Sequence, residues 1–348
     1  MSYKVTLEPS GHSFEISAEQ KILDAGLEAG LSMPFSCRVG MCRACRGIIA
    51  EGVVDFGDVH PSYFSEQDRA RGLAFLCQAR ARSDLRIQVK ELEGLAGVKV
   101  RKVPCRVSRI ERPAPDVSIL DLRLPLNENM KFVAGQHVEF LLPDDTRRSY
   151  SIASKPEVAG VIAIELHIRH LPGGWFAETV LAKLKERDLL KFEGPLGSFS
   201  LRDDTDKPIV MVAGGTGFAP LKAMCEWAFE RGIDKRRPIT LFWGARTRQD
   251  LYLGDLPQAW AQARSDFTYV PVLSEPTQAC AWEGRQGLVH RVAMDMIGDM
   301  SGVEVYVCGA PAMVEAARRD FAENGLPEDA FFADSFLTQA DLAEKVDG

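Results

Sequence analysis

The stretch SCRVGMCRACRG, residues 36–47, places three cysteines within nine residues. Cys37, Cys42 and Cys45 have the spacing C-x4-C-x2-C, and Cys77 follows in AFLCQAR. The first residues, MSYKVTLEPSG, contain no apolar signal segment, so we expect a cytoplasmic protein whose thiols stay reduced. The cysteines are therefore expected to be metal ligands or small buried side chains rather than disulfides.

The cysteine spacing favours an iron–sulfur cluster over a zinc ion. A structural zinc site usually has two C-x2-C pairs, or one such pair with two histidines. This chain has one pair, and His60 is the only histidine between Cys45 and Cys77. The spacing C-x4-C-x2-C…C is that of plant-type [2Fe–2S] proteins. We predict a [2Fe–2S] cluster on these four cysteines, with zinc or unmetallated thiols as alternatives.

Three arginines, Arg38, Arg43 and Arg46, lie between and beside the cysteines. They make the predicted cluster's rim positive. One interpretation is ordinary solvated surface charge, and the other is docking of an acidic partner or a raised cluster potential.

Composition excludes several classes of protein. The chain has 348 residues, 46% of them hydrophobic and 26% charged, with a net charge of −7. A negative chain without long basic runs is not expected to bind nucleic acid. No apolar run approaches the roughly 18 residues of a membrane span, so no membrane partner is expected. This length predicts two to three domains.

Hydrophobic periodicity divides the chain into three parts. Residues 1–92 read as a compact α+β unit, followed by a linker near 91–97. Residues 99–204 contain many short alternating strands separated by Pro and Gly, which predicts an antiparallel β-barrel. Residues 206–348 alternate buried strands with helices, which predicts an α/β domain with a parallel sheet. Cys105, Cys225 and Cys280 have no motif around them and are expected to be packing residues.

The first part resembles plant-type ferredoxin (β-grasp) over nearly its whole length, on the four cysteines above. The second part contains RRSYSIAS, residues 147–154, which resembles the R-x-Y-S stretch of the ferredoxin–NADP reductase superfamily. The resemblance implies an FAD site, FAD being favoured over FMN. It implies that Arg148 holds the pyrophosphate, that Tyr150 covers the isoalloxazine, and that Ser151 lies near N5, with Ser149 in the same motif.

ELHIRHLPGGW, residues 165–175, resembles the second flavin strand of that superfamily. By this resemblance the flavin contacts include His167, Ile168, Arg169, Gly173, Gly174 and Trp175. The two glycines and the helix start behind them would present backbone N–H groups to phosphate.

The third part contains GTGFAP, residues 215–220, directly after a buried strand. A glycine-rich turn between a strand and a helix favours a dinucleotide phosphate site. The candidate residues are Gly215, Thr216, Gly217 and Pro220. A tight structural turn is the alternative.

Two further segments resemble the nicotinamide side of the same superfamily. VYVCGAPAM, residues 305–313, resembles its C-G-x-x-x-M segment, which implies that Cys308 and Gly309 lie beside the nicotinamide. From sequence alone a buried structural cysteine is equally consistent. The segment FFADSF, residues 331–336, ends in Phe336, which by resemblance would cover the isoalloxazine. A core phenylalanine is the alternative.

The choice of nicotinamide cofactor is expected to lie in WGARTRQDLY. Arg246 and Arg248 could bind the 2′-phosphate of NADPH, while Asp250 lies nearby. Related reductases that feed oxygenases mostly use NADH with similar stretches. We therefore predict NADH, with NADPH possible.

The order of the three parts resembles that of single-chain reductases of bacterial oxygenases, of the phenol hydroxylase and the benzoate or terephthalate dioxygenase types. It equally resembles the reductase that serves CDP-6-deoxy-hexulose dehydrase. The resemblance implies an enzyme that passes electrons from NAD(P)H to FAD, to the [2Fe–2S] cluster and to a partner protein. We favour the reductase component of an aromatic oxygenase; the alternatives are the deoxysugar reductase and a zinc-stabilised binding or sensing module.

Overall fold

A computed structural model of the chain describes residues 2–61, 63–92, 98–142, 147–171 and 176–336. These residues form two compact units. One contains the chain up to Val98 together with Gly197–Phe199, and the other contains Lys99–Leu196 together with Ser200–Phe336. Most of the expected linker, residues 93–97, lies outside the described residues.

The first unit contains a mixed sheet and two short helices. Its elements are β1 (Ser2–Glu8), β2 (Ser13–Ser17), α1 (Ile22–Glu28), β3 (Arg46–Glu51), β4 (Val54–Asp55), α2 (Glu66–Ala70), β5 (Leu73–Phe75), β6 (Arg80–Ala81) and β7 (Leu85–Gln88). The main sheet has the order β2-β1-β7-β3-β5, and β4 pairs with β6. β1 is antiparallel to β2 and parallel to β7, and α1 buries Ile22 and Leu23. The predicted α+β ferredoxin unit is confirmed.

The second unit begins with an antiparallel sheet that closes on itself. Its strands are β8 (Arg101–Ala114), β9 (Val117–Arg123), β10 (His137–Leu141), β11 (Arg147–Ser151), β12 (Ala163–Arg169) and β13 (Leu189–Leu196). Their order is β11-β10-β13-β8-β9-β12. A bridge between Ile152 and Leu166 joins the two edges, so the predicted barrel is confirmed. Alternating apolar residues of these strands fill its core, which includes Cys105.

A parallel six-stranded sheet completes the second unit. Its elements are β14 (Ile209–Gly214), α3 (Phe218–Glu230), α4 (Ile233–Arg236), β15 (Ile239–Ala245), α5 (Asp255–Ala263), β16 (Phe267–Leu273), β17 (Arg285–Gln286), α6 (Val289–Ile297), β18 (Glu304–Gly309), α7 (Pro311–Glu323) and β19 (Phe331–Ser335). The order β17-β16-β15-β14-β18-β19 is parallel throughout, which confirms the predicted α/β domain. The carboxyl end of β14 is where such a sheet binds ligands. Cys225 is buried in α3, and Cys280 is half-buried.

Candidate redox sites

The four predicted metal ligands belong to the first unit. Cys37, Cys42 and Cys45 lie in the loop between α1 and β3, and Cys77 follows β5. Three of the thiols are buried and Cys37 is half-buried. The backbone N–H of Cys42 donates to the Cys37 sulfur at 3.3 Å, and that of Cys37 donates to the Cys42 sulfur at 3.4 Å. Such N–H groups stabilise thiolates, the form that binds iron.

The four sulfurs interact as two pairs. The hydrogen bond with Cys42 lowers the pKa of Cys37 to about 6, and the hydrogen bond with Cys45 lowers the pKa of Cys77. Within the described part of the chain, no three His, Cys, Asp or Glu side chains converge as a single metal ion would require. A [2Fe–2S] cluster instead needs two ligands on each of two irons, and two thiol pairs satisfy that requirement. The residues present therefore fit the binuclear cluster.

The cysteine loop has an unusual backbone. Gly40, Arg38 and Arg43 have positive φ values of 79°, 57° and 62°. Glycine adopts this region freely, whereas a side chain there costs about 1 kcal/mol or more. Arg38 is exposed and lies 4.7 Å from the Phe35 ring centroid. The buried Nε of Arg43 has no hydrogen-bond partner among the described residues.

The predicted flavin strand is β11, at one edge of the barrel sheet. Tyr150 is half-buried, and its ring centroid lies 5.8 Å from that of Phe140 and 5.4 Å from that of Phe176. Arg148 is also half-buried and has no carboxylate partner among the described residues. Ser149 is exposed. A guanidinium without a carboxylate partner, beside a half-covered aromatic ring, fits an anionic cofactor with a flat ring, as FAD is.

Ser151 brings the barrel and the nucleotide-binding sheet together. Its buried hydroxyl donates to the Asp334 carboxylate on β19 at 3.5 Å. Asp334 pairs in register with Cys308 on β18, and burial and the Asp334 charge raise the pKa of Cys308. Phe336 follows β19, is half-buried, and its N–H donates to the Gly309 carbonyl at 2.9 Å. Asp334 was not among the sequence predictions, and the burial of residues 331–335 does not alternate, so no local pattern marks it.

β12 carries the other predicted flavin residues. Ile168 lies in the barrel core, so only its backbone is available to a ligand. His167 is buried and bonds to Glu165 and Tyr252. Arg169 bonds to Asp116 at 2.9 Å. Gly173, Gly174 and Trp175 lie outside the described residues, and their predicted roles stay predictions.

The predicted phosphate turn lies between β14 and α3. Gly215, Thr216 and Gly217 form a single 3-10 turn, and Pro220 is in the first turn of α3. A Cβ on Gly217 would stand 2.0 Å from the Cys308 carbonyl oxygen. A Cβ on Gly215, whose φ is +54°, would stand 2.8 Å from the nearest Arg169 nitrogen. Both positions therefore require glycine, and the helix N-terminus behind them suits a phosphate.

The predicted specificity residues follow β15. Arg246 and Arg248 are exposed, and neither has an ion-pair partner among the described residues. The Asp250 carboxylate accepts hydrogen bonds from the N–H and the hydroxyl of Thr247, at 2.9 and 3.0 Å. Two cations and one carboxylate thus share the turn that would meet the ribose of a bound dinucleotide.

The described helices contain no segment with the length and apolar character of a membrane span.

Three sequence profiles match the chain, in the order of its domains. Residues 5–82 match "2Fe-2S iron-sulfur cluster binding domain", residues 104–201 match "Oxidoreductase FAD-binding domain", and residues 211–319 match "Oxidoreductase NAD-binding domain". These matches confirm the predicted [2Fe–2S] cluster, FAD and nicotinamide cofactor and the three-domain architecture. The predicted domain limits and site residues stay predictions.

Similar proteins align with this chain over nearly their full length. The CDP-6-deoxy-L-threo-D-glycero-4-hexulose-3-dehydrase reductase of Yersinia pseudotuberculosis is 37% identical, over 97% of this chain and 99% of that protein. Reductase component 1 of the terephthalate 1,2-dioxygenase of a Comamonas species is 34% identical, over 97% and 98%. The crystal structure of the Amycolatopsis cytochrome P450 reductase GcoB covers 96% of this chain and 98% of its own, with a TM-score of 0.77 and 30% identity.

Proposed function

Because this chain belongs to the family of iron–sulfur flavoprotein reductases that join a ferredoxin domain to FAD- and NAD-binding domains, we propose that it supplies electrons to a separate oxygenase in the cytoplasm. The protein is an NAD(P)H-dependent oxidoreductase. The observation that carries the proposal is the likeness, over nearly the full length of both chains, to a dioxygenase reductase component.

The cofactors explain why three domains occur in one chain. A bound flavin accepts two electrons as a hydride and releases them singly, and a [2Fe–2S] cluster carries one electron at a time. Hydride transfer needs no protein acid or base, so the chain's own residues bind and orient. Arg148 would hold the FAD pyrophosphate, Tyr150 would cover the ring, and Ser151 would lie near its reactive edge.

The nicotinamide would enter where Ser151, Asp334 and Cys308 meet. All three are buried, which excludes water from the place of hydride transfer. The glycine turn and the start of α3 would hold the dinucleotide phosphates. We propose NADH as the donor, since the Asp250 carboxylate shares the turn with the arginines and would oppose a 2′-phosphate. A ratio of kcat/KM for NADPH over NADH above one would contradict this preference.

A cysteine variant tests the order of electron transfer. Cys42→Ser should abolish reduction of cytochrome c, taken as the cluster-dependent acceptor, and spare NADH oxidation by ferricyanide, which accepts directly from flavin. Cys280→Ser is the matched control, because that half-buried thiol donates only to the nearby Thr277 carbonyl. Loss of both activities in Cys42→Ser alone would contradict the proposed order.

A second candidate partner has its own observation. The relative at 37% identity is a reductase of a CDP-6-deoxy-hexulose dehydrase, which favours a dehydrase of that type as the electron acceptor. Purified reductase should be mixed with each type of partner, and product should be measured with NADH in excess. Product formation with an aromatic oxygenase would support the first proposal. Product formation only with the dehydrase would contradict it and support the second.

A further inference from the structure

One face of β12 carries polar residues at every second position: Glu165, His167 and Arg169. The residues between them lie in the barrel core: Ile164, Leu166 and Ile168. Successive side chains of a strand point to opposite faces, so the three polar side chains all point away from the barrel core. Each of them meets the glycine turn or an element next to it.

His167 makes two hydrogen bonds, one within β12 and one to the nucleotide-binding domain. Its Nε2 lies 2.9 Å from Glu165 Oε1, and its Nδ1 lies 2.8 Å from the Tyr252 hydroxyl. A carboxylate only accepts, so Nε2 carries the proton and Nδ1 accepts from the tyrosine. Burial lowers the pKa of His167, which keeps the ring neutral in this arrangement.

Tyr252 in turn contacts the side chain that supports the glycine turn. Its ring meets Trp243 edge-on, with centroids 5.2 Å apart. Trp243 is fully buried, stacks on Phe218 at 4.0 Å, and donates from Nε1 to the Gly215 carbonyl at 2.9 Å. The position of Tyr252 therefore affects the backbone of the turn through one intervening residue.

Lys222 makes a second connection, from the helix that follows the turn. Its ammonium group lies 3.2 Å from Glu165, 3.0 Å from Glu226 and 3.2 Å from the Ala153 carbonyl oxygen. Burial alone would raise the pKa of Glu165, but the His167 hydrogen bond and the Lys222 charge lower that pKa to about 2. Glu165 is thus a carboxylate that accepts from both domains.

The third polar residue of the strand reaches the turn itself. Arg169 is held by Asp116, and its guanidinium occupies the space beside Gly215. Of the three alternate residues of β12, Arg169 therefore lies beside the turn, and Glu165 pairs with Lys222 on the helix that follows it. His167 bonds to Tyr252, which packs on Trp243.

We infer that the Tyr252–His167 hydrogen bond is a positioning contact for hydride transfer, which sets the glycine turn at a fixed distance from the flavin strand. This inference rests on the proposed flavin and nicotinamide sites. Replacing both partners of a buried hydrogen bond by apolar groups of the same shape can be nearly neutral for stability. Hydrogen bonds add a defined direction and distance, which a hydride transfer over a short gap requires.

The test compares two tyrosines of the same domain. Tyr252→Phe removes the donor to His167, whereas Tyr269→Phe removes a buried hydroxyl that has no hydrogen-bond partner among the described residues. Each protein is purified with its FAD, and flavin reduction by NADH is followed by stopped flow, with rates expressed per bound flavin. The limiting rate should fall about tenfold in Tyr252→Phe. It should stay within about twofold of wild type in Tyr269→Phe.

Two readouts separate positioning from a general loss of structure. Tyr252→Phe should weaken the long-wavelength charge-transfer absorbance formed when NAD⁺ is added to the reduced protein, with FAD content unchanged. In a His167→Leu background, Tyr252→Phe should add no further loss, because the shared hydrogen bond is already gone. Additive losses, or equal rates in the two tyrosine variants, would overturn the inference. If neither NADH nor NADPH reduces the flavin of the wild-type protein, that result would instead contradict the proposed function.

Discussion

Replacing Gly217 with alanine is the sharpest test of the nicotinamide site. The new Cβ would stand 2.0 Å from the Cys308 carbonyl oxygen, whereas real Cβ contacts essentially never fall below 3.0 Å. The opposing atom is backbone, and it belongs to a fully buried residue near the end of an interior strand, so no flexible side chain can move aside.

The size of the effect follows from that overlap. The turn and the end of β18 must separate by at least 1.0 Å, the difference between 3.0 and 2.0 Å. Overpacking of this kind lowers the free energy of unfolding by about 1–3 kcal/mol, which for a unit of this size lowers Tm by about 2–12 °C. A misplacement of about 1 Å at a reacting centre can slow a reaction on the order of a hundredfold.

The assay is NADH oxidation by ferricyanide, normalised to bound FAD. Gly302→Ala is the matched control, because a Cβ there meets nothing within 4 Å and the residue lies in the turn just before the same strand. We expect the control to behave as wild type and Gly217→Ala to lose most of its rate while it keeps FAD. Equal rates in the two alanine variants would refute the close approach of the turn to β18.

Three other outcomes are expected. Arg148→Leu should lower the amount of FAD retained through purification. Arg123 is an exposed arginine of the same barrel, and Arg123→Leu should retain FAD as wild type does. Equal ratios of FAD to protein in the two variants would contradict the role of Arg148. Arg237→Met should lower the free energy of unfolding by about 3–5 kcal/mol, because the buried Glu304 carboxylate would lose its cation. Unfolding in denaturant, followed by tryptophan fluorescence, measures this change. A loss below about 1 kcal/mol would be inconsistent with a buried ion pair. The pKa of Glu165 is lowered from 4.5 to about 2 in the folded state. The ionised carboxylate therefore contributes fully to the free energy of unfolding above pH 4.5, and this contribution is lost as the pH falls towards 2. Glu165→Gln should flatten the dependence of Tm on pH in that range.

The cofactors and the fold could be predicted because they depend on local patterns. The four cysteines are defined by their spacing, and the strands of the barrel and of the parallel sheet are defined by hydrophobic period. The short helix α2 and the strands β5 and β6 were missed, because two to five residues are too few for a period to appear.

The junction between the flavin barrel and the nucleotide-binding sheet could not be predicted in the same way. Asp334, Tyr252 and Lys222 are far apart in the sequence. Only the tertiary fold brings them next to Ser151, His167 and Glu165, respectively. No local motif marks any of the three. His167 was predicted as a flavin residue from its strand, and its hydrogen bonds to Glu165 and Tyr252 were not part of that prediction.

The two faces of β12 also limit how its length can change. Substitution at one position affects one face, but insertion or deletion of a single residue would turn every later side chain to the opposite side. The isoleucines would then point at the nucleotide-binding domain, and charged groups would enter the barrel core. Length differences among homologous reductases should therefore fall in the turns that flank this strand and spare residues 163–169.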